Sequence, residues 1–199
     1  MYLDKSLKEY INDLAARQPT PGGGSAGALS GALGTALLEM VCNFTIGNKK
    51  YKEFEEDISK HLSSLKKIRE EFTGLIDEDV KVYSNICSAF KTKDEKIIDN
   101  SLKQGYHISL KICELARAGV NISLDLSNKS NVNLITDVGC GAELLKASFN
   151  SGVFNCEINL KGIKDTFFTE KARSELSILK KDMDKIYKDA ISGTNERIL

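Results

Sequence analysis

The sequence contains few of the residues that usually mark a metal or nucleophile site. Its 199 residues include two histidines, His61 and His107, and these are far apart in the chain. The motifs HExxH, GxSxG and GxxxxGK[ST] are all absent, which argues against a zinc hydrolase, a Ser-His-Asp hydrolase and a P-loop nucleotide site. We therefore expect no metal ion.

Charge of one sign is also lacking, because 28 basic residues balance 28 acidic ones. A broad electrostatic surface for nucleic acid or anionic lipid is therefore not expected. The five cysteines include no CxxC pair and favour a reducing compartment, so we expect a cytoplasmic protein. An uncharged stretch between Arg17 and Glu39 opens with proline and glycine and is then mostly small residues, which predicts a buried helix rather than a membrane span.

Apolar residues recur at helical spacing along most of the chain, and no segment alternates with a period of two. This pattern predicts an all-α fold, a bundle of about six helices in one domain over residues 1–199. The predicted helices cover residues 3–17, 25–45, about 51–90, 94–118, 136 onward and 169 onward, with a stop at Gly119 and a partly irregular segment over 120–133. The third is one long central helix, and the second, rich in glycine and alanine, belongs at the centre or at a subunit seam.

Both prolines and three successive glycines occur together in the segment PTPGGGS, residues 19–25. The segment leads into a helix, so the bare N–H groups of Gly22, Gly23, Gly24 and Ser25 could receive an anion at the positive end of the helix dipole. The alternative is a flexible turn between two antiparallel helices. Ser25 is the expected N-cap of the second helix.

A cluster of three acids, Asp77, Glu78 and Asp79, lies on the long predicted helix. Asp79 has apolar neighbours one turn before and after it and occupies the apolar stripe, whereas the turn neighbours of Asp77 are Thr73 and Lys81. Burying a carboxylate is costly, and buried acids are often functional. Asp79 is therefore the candidate catalytic or ligand-binding acid, the alternative being a structural acid with its own partners, and Asp77 is expected in solvent.

A further polar group surrounds the fifth predicted helix. Asp137 lies in its first turn, and two asparagines four residues apart share a face if the helix continues that far. The alternative is ordinary capping and loop chemistry. The candidate residues are Asn131, Asp137, Asn155 and Asn159.

These features together resemble the cyclodeaminase family, which includes the C-terminal part of formiminotransferase-cyclodeaminase and stand-alone bacterial relatives. The resemblance rests on PGGGS, on the acid at Asp79 and on the late spacing N-x5-D-x17-N-x3-NL, which matches from Asn131 to Leu160. The family usually has Leu-Pro-Lys after the long helix. This chain has Phe90 followed by KTKD, so Lys91 and Lys93 are the candidates for a lysine near the pocket.

The resemblance implies an all-helical dimer that acts on a reduced folate, with Asp79 as the catalytic acid and no metal or redox cofactor. The implied reaction is the cyclisation of 5-formiminotetrahydrofolate to 5,10-methenyltetrahydrofolate with release of ammonia. The glycines would admit the folate or its anionic tail, and the group from Asn131 to Asn159 would hold the pterin. Hydrolysis of 5,10-methenyltetrahydrofolate to 10-formyltetrahydrofolate is the alternative on the same fold, and a non-catalytic helical interaction protein is the alternative of another class.

Overall fold

Six α-helices make up the fold, without a β-strand, in a computed structural model that describes residues 1–199. Short 3-10 turns precede α1, α3 and α5. The all-α prediction and the number of helices are confirmed, and the longest helix is α3, as predicted. The helices are α1 (Leu7–Ala15), α2 (Gly23–Thr45), α3 (Glu55–Thr92), α4 (Glu95–Lys129), α5 (Ile135–Gly162) and α6 (Thr166–Ile198).

Helix α2 lies at the centre, between α3 and α5, while α4 packs against α3, α5 and α6. Its glycines allow close approach: a Cβ on Gly31 would lie 2.4 Å from the ring of Phe72, and one on Gly34 would lie 2.8 Å from the carbonyl oxygen of Gly141. By length and composition α2 is the one helix that could cross a membrane, but 56% of its most apolar stretch is buried inside the protein. It is the central packing element of the bundle.

Helix α4 continues past Gly119 to Lys129, so the predicted stop was wrong. The segment predicted as partly irregular over 120–133 leaves the α-helix only from Ser130. Gly119 does not end the helix, because its missing side chain makes room for Leu145, whose Cδ1 would lie 2.8 Å from a Cβ there. The serines that suggested a loop are buried and bond to carbonyl oxygens of their own helix. Ser123 Oγ donates to Val120 O at 2.7 Å, and Ser127 Oγ donates to Leu124 O at 2.7 Å. Such internal bonds let polar residues lie on a buried helical face.

The start of α2 also differs from its prediction. Gly22 is the N-cap and the helix begins at Gly23, so Ser25 lies inside the first turn rather than at the cap. No side chain of the loop caps this end, because an acid from another helix accepts a hydrogen bond there. By contrast, Asp94 caps α4 as predicted, accepting hydrogen bonds from the N–H groups of Lys96 and Ile97.

Candidate active site

A groove of about 530 Å³ opens between α3 and α5, and α4 contributes residues between them. Its walls are mostly apolar, and three of them, Tyr83, Phe90 and Ile158, keep 43%, 54% and 63% of their surface exposed. Gly105 of α4 allows the walls to converge, since a Cβ there would lie 2.8 Å from Asn159 Oδ1 and 2.9 Å from Ile86 Cδ1. The groove therefore offers exposed apolar surface with few polar groups, as ligand sites commonly do.

Asp79 lines this groove and contacts the first turn of α2. Its Oδ2 accepts a hydrogen bond of 2.9 Å from the amide N–H of Ser25. A Cβ on Gly24 would lie only 2.0 Å from Asp79 Oδ1, so the carboxyl group occupies space that a glycine leaves free. Burial raises the pKa of Asp79 above its ordinary value, and the hydrogen bond from Ser25 opposes that rise. The structure thus presents a carboxyl group suited to gaining and losing a proton.

The side-chain hydroxyl of Ser25 also forms a hydrogen bond within the protein. Ser25 Oγ and the hydroxyl of Tyr10 are 3.1 Å apart in a buried hydrogen bond. This bond joins α1 to the first turn of α2, next to Asp79. On the other side, Ser151 Oγ donates to the carbonyl oxygen of Gly23 at 2.8 Å. The glycine segment is therefore fixed to α1, α3 and α5 and is not a flexible turn.

Asp77 is buried, so the expectation that it lies in solvent was wrong. Its Oδ1 accepts a hydrogen bond of 2.6 Å from the amide of Tyr2, and its Oδ2 accepts a longer one of 3.4 Å from Leu3. The N-terminal 3-10 turn folds over this face of α3 and supplies the donors. Turn neighbours within α3 could not reveal this, because the partner lies 75 residues away in sequence.

Asn155 and Asn159 share a face of α5, because the helix continues through both, and both line the groove. Their side-chain N–H groups donate to carbonyl oxygens one turn earlier, those of Ser151 at 2.9 Å and Asn155 at 2.8 Å. Asn155 lies beside the glycine segment, since its Nδ2 would be 3.7 Å from a Cβ on Gly23. Gly23 and Gly24 thus lie near the Asp79 end of the groove, while Gly22 has no neighbour within 4 Å of the Cβ it lacks. Contact of any of these residues with substrate stays a prediction.

Asn131 and Asp137 lie at the opposite end of α5, so one chain does not bring them into the groove. The 18 residues from Asp137 to Asn155 correspond to about 27 Å of helix. Asn131 has structural partners there: its Nδ2 donates to Phe44 O at 3.3 Å and its Oδ1 accepts from Asn133 N at 3.1 Å. The prediction that all four residues surround one ligand is wrong for a single chain, because the spacing spans most of a long helix.

The lysine beside the groove is neither of the two expected ones. Phe90 lines the groove, but Lys91 and Lys93 do not, and Lys93 is the left-handed C-cap of α3 at φ 59°. Lys161, in the last turn of α5, lines it instead. Sequence reasoning missed this residue because the matched pattern ends one position earlier, at Leu160. The helical face of Asn155 and Asn159 does not include Lys161 either, since residues two positions apart point in nearly opposite directions.

This chain is similar to known proteins in both sequence and fold. The family model for formiminotransferase-cyclodeaminase matches residues 6–178. A methenyltetrahydrofolate cyclohydrolase of Methylorubrum extorquens is 33% identical over 205 residues, an alignment that covers 96% of this chain and 99% of the relative. The formimidoyltransferase-cyclodeaminase of Rattus norvegicus is 28% identical over 186 residues, covering 89% of this chain. The alignment covers 34% of the rat protein, so the chain matches about a third of that relative's length.

The fold agrees equally well with a solved structure. The crystal structure of formiminotetrahydrofolate cyclodeaminase from Thermotoga maritima matches this chain with a TM-score of 0.96 at 28% sequence identity. The match covers 100% of both chains. Sequence and fold therefore point to the same group of proteins.

Proposed function

Because the chain belongs to the formiminotransferase-cyclodeaminase family, we propose that it is a folate one-carbon enzyme that cyclises 5-formiminotetrahydrofolate to 5,10-methenyltetrahydrofolate and releases ammonia. The observation that carries this proposal is Asp79, a partly buried carboxyl group with a raised pKa at one end of a mostly apolar groove. Such a group can both take a proton from a bound substrate and return one to it.

The reaction requires one proton transfer in each direction. N10 of the folate attacks the formimino carbon, the N10–C bond forms, and N10 must lose its proton. The formimino group enters as its protonated amidinium form, –CH=NH2+, so attack leaves an NH2 group on the carbon. The bond between the carbon and this nitrogen then breaks as the nitrogen gains one more proton, which releases NH3 and leaves the methenyl cation. We assign both transfers to Asp79, as base and then as acid. The carbon keeps its oxidation state, so we propose no redox cofactor beyond the folate substrate. We also propose no metal ion, since one carboxyl group can carry both proton transfers.

Hydrolysis of 5,10-methenyltetrahydrofolate to 10-formyltetrahydrofolate is the second candidate. It is favoured by the 33% identity to a relative of that name over nearly the whole chain. Water attacks the same bridge carbon, and a base beside that carbon would accept its proton, so the same site serves both reactions. The first candidate is a lyase and the second a hydrolase.

Absorbance in the methenyl-folate band separates the two candidates. The purified protein is offered 5-formiminotetrahydrofolate in one cuvette and 5,10-methenyltetrahydrofolate in another. Growth of the band in the first cuvette supports cyclodeamination, and decay in the second that is faster than in buffer supports hydrolysis. If neither cuvette differs from buffer, the enzyme proposal fails and a non-catalytic helical protein replaces it.

We further propose that the protein is a homodimer built on the outer face of α2. Glu39 is the only charged residue of this helix, and it is bonded to Arg69 of α3 with Nε and Oε1 2.6 Å apart. The outer face is therefore uncharged, and it exposes 52% of Leu33 and 62% of Phe44. An exposed apolar surface of this kind is typical of a subunit contact.

An antiparallel packing of two α2 helices would also account for the predicted residues that one chain leaves apart. Asn131 is bonded to the last turn of α2 through Phe44, whereas Asp79 is bonded to its first turn through Ser25. Opposed helices would bring these two ends together, so the groove of one subunit would receive Asn131 and Asp137 of the partner subunit. We propose no nucleic-acid or membrane partner and a cytoplasmic location, consistent with the zero net charge and the free cysteines.

A further inference from the structure

The geometry points to Lys161 as the residue that binds the glutamate carboxylates of the folate at the end of the groove opposite Asp79. This inference rests on the proposed function and names the part of the substrate that sets its specificity. It follows from the direction of the groove, from its apolar walls and from the charges along it.

The groove has two distinct ends. Near one end lie Asp79 and Asn155, on either side of the glycines that begin α2. From there α5 continues to Lys161, six residues later, which is about 9 Å of helical rise. That length is close to the span of a benzoyl ring with its amide bond. A folate whose bridge carbon lies at Asp79 would therefore carry its glutamate to the level of Lys161.

The wall between the two ends suits an aromatic ring. Tyr83 and Phe90 of α3 and Ile158 of α5 line it with 43%, 54% and 63% of their surface exposed, and together they form an exposed apolar patch of the kind that marks ligand grooves. Burial of a flat p-aminobenzoyl group against them would remove this apolar surface from water. The ring thus fits the middle of the groove and leaves the carboxylates beyond it.

Lys161 and Asp79 are the two charged residues that line the groove. Lys161 forms no ion pair within the protein, whereas Lys103 is bonded to Asp165 at 2.7 Å and Lys180 to Glu157 at 3.2 Å. The opposite end of the groove is a poorer anion site, because the N–H of Ser25 already donates its hydrogen bond to the carboxyl group of Asp79. The substrate carboxylates are therefore assigned to Lys161 and not to the first turn of α2.

The test compares two substrates that differ only in the glutamate. 5,10-Methenyltetrahydrofolate carries it, and 5,10-methenyltetrahydropteroate ends at the benzoate. With the folate, Lys161→Ala should raise KM about tenfold and leave kcat within about twofold, since the lost contact is a charge-assisted one far from the reacting carbon. With the pteroate, KM should be the same in wild type and variant within about twofold. The corresponding formimino compounds serve if the protein proves to be a deaminase.

Two further variants define the control. Lys161→Arg keeps the positive charge and should keep KM for the folate within about threefold of wild type. Lys164→Ala removes an exposed lysine that does not line the groove and should leave both substrates unaffected. Equal effects of Lys161→Ala on folate and pteroate, or no effect on either, would overturn the assignment. Wild-type protein that converts none of the compounds would instead refute the proposed function, and the assignment with it.

Discussion

The amide N–H of Ser25 donates a hydrogen bond of 2.9 Å to Oδ2 of Asp79, joining residues 54 positions apart in the chain. It links the first turn of α2 to the middle of α3. The N-terminal end of a helix carries partial positive charge and favours a carboxylate, which partly offsets the cost of burying one. The first turn of α2 therefore binds the carboxyl group of Asp79, an acid of the protein itself.

The replacement Asp79→Asn should abolish turnover without unfolding the protein. The asparagine can still accept the hydrogen bond from Ser25, but it cannot take or give a proton. We expect kcat to fall by about 10²- to 10⁴-fold, the usual contribution of a general acid-base group. The measurement is the absorbance assay, with circular dichroism to confirm the helical fold.

The matched control for this variant is Glu78→Gln. Glu78 is the adjacent acid on α3 and is exposed, so it makes the same change of charge without touching the groove. We expect its kcat and KM to equal those of wild type. If Asp79→Asn retains the activity of Glu78→Gln, Asp79 is not the catalytic acid.

The pH dependence of kcat should report the raised pKa of Asp79. The reaction begins with the carboxylate form, so the rate should fall as the pH drops below this pKa. Because burial raises that pKa, the midpoint of the acid limb should lie above pH ~4, the value for an ordinary aspartate. The residual rate of Asp79→Asn should lack this limb. A limb that is unchanged in the variant would assign it to another group.

The same pKa shift predicts how stability depends on pH. A carboxyl group whose pKa is raised by folding stabilises the protein below its unfolded pKa, and this stabilisation is lost as the pH rises through the folded pKa. Asp79→Asn removes the ionisation, so its Tm should exceed that of wild type by more at pH 8 than at pH 4. Thermal unfolding by circular dichroism at the two pH values measures the difference. A larger gain at pH 4 would contradict the direction of the shift.

Gly24→Ala should displace the carboxyl group of Asp79 and lower kcat. The new Cβ would lie 2.0 Å from Asp79 Oδ1 and 2.6 Å from its Cγ, so the side chain must move. A displacement of about 1 Å at a reacting group can cost about 100-fold in rate. The control is Gly74→Ala on α3, the helix that carries Asp79, where a Cβ meets nothing within 4 Å.

Steady-state kinetics and urea unfolding distinguish these two glycine variants. Gly74→Ala should keep full activity and gain about 0.5–1 kcal/mol of stability, because alanine restricts the unfolded chain. Gly24→Ala should lose activity whether or not its stability changes. Full activity of Gly24→Ala would show that the contact between Gly24 and Asp79 does not position the acid.

Much of the fold could be predicted from the sequence because apolar spacing reports one buried face per helix. The pattern predicted all six helices and the N-cap of α4 at Asp94. It failed at residues 120–129, where buried serines satisfy their hydroxyls within α4, and at Ser25, where the capping group comes from another helix. The partner of Ser25 lies 54 residues away, and local sequence carries no information on it.

The part of the candidate site that depends on helical spacing could also be predicted from the sequence. The stripe position of Asp79 and the four-residue spacing of Asn155 and Asn159 are local properties of helices, and the structure places all three in one groove. The burial of Asp77 depends on the N-terminal turn, and the separation of Asn131 from Asn155 depends on where α5 begins. Only the packed chain shows these relationships.

The proposed dimer predicts that Leu33→Glu yields a monomer. The substitution places a charge in the middle of the uncharged outer face of α2, where Leu33 is 52% exposed in the single chain. Burying an unpaired carboxylate at a subunit contact is costly. Ile178→Glu on α6, at a site 66% exposed, is the control and should remain dimeric. Light scattering coupled to size-exclusion chromatography gives the mass; a monomeric wild type would refute the dimer.

Mixing two inactive variants tests whether each groove is built from both subunits. Asp79→Asn disables the groove of its own chain, and under this proposal Asp137→Ala disables the groove of its partner. Random re-association gives half mixed dimers, and one groove in each has both residues intact, so about a quarter of wild-type activity should return. If both residues served the groove of the same chain, every groove in the mixture would lack one of them and no activity would return. An Asp137→Ala protein with full activity would instead leave that residue a structural role at the start of α5.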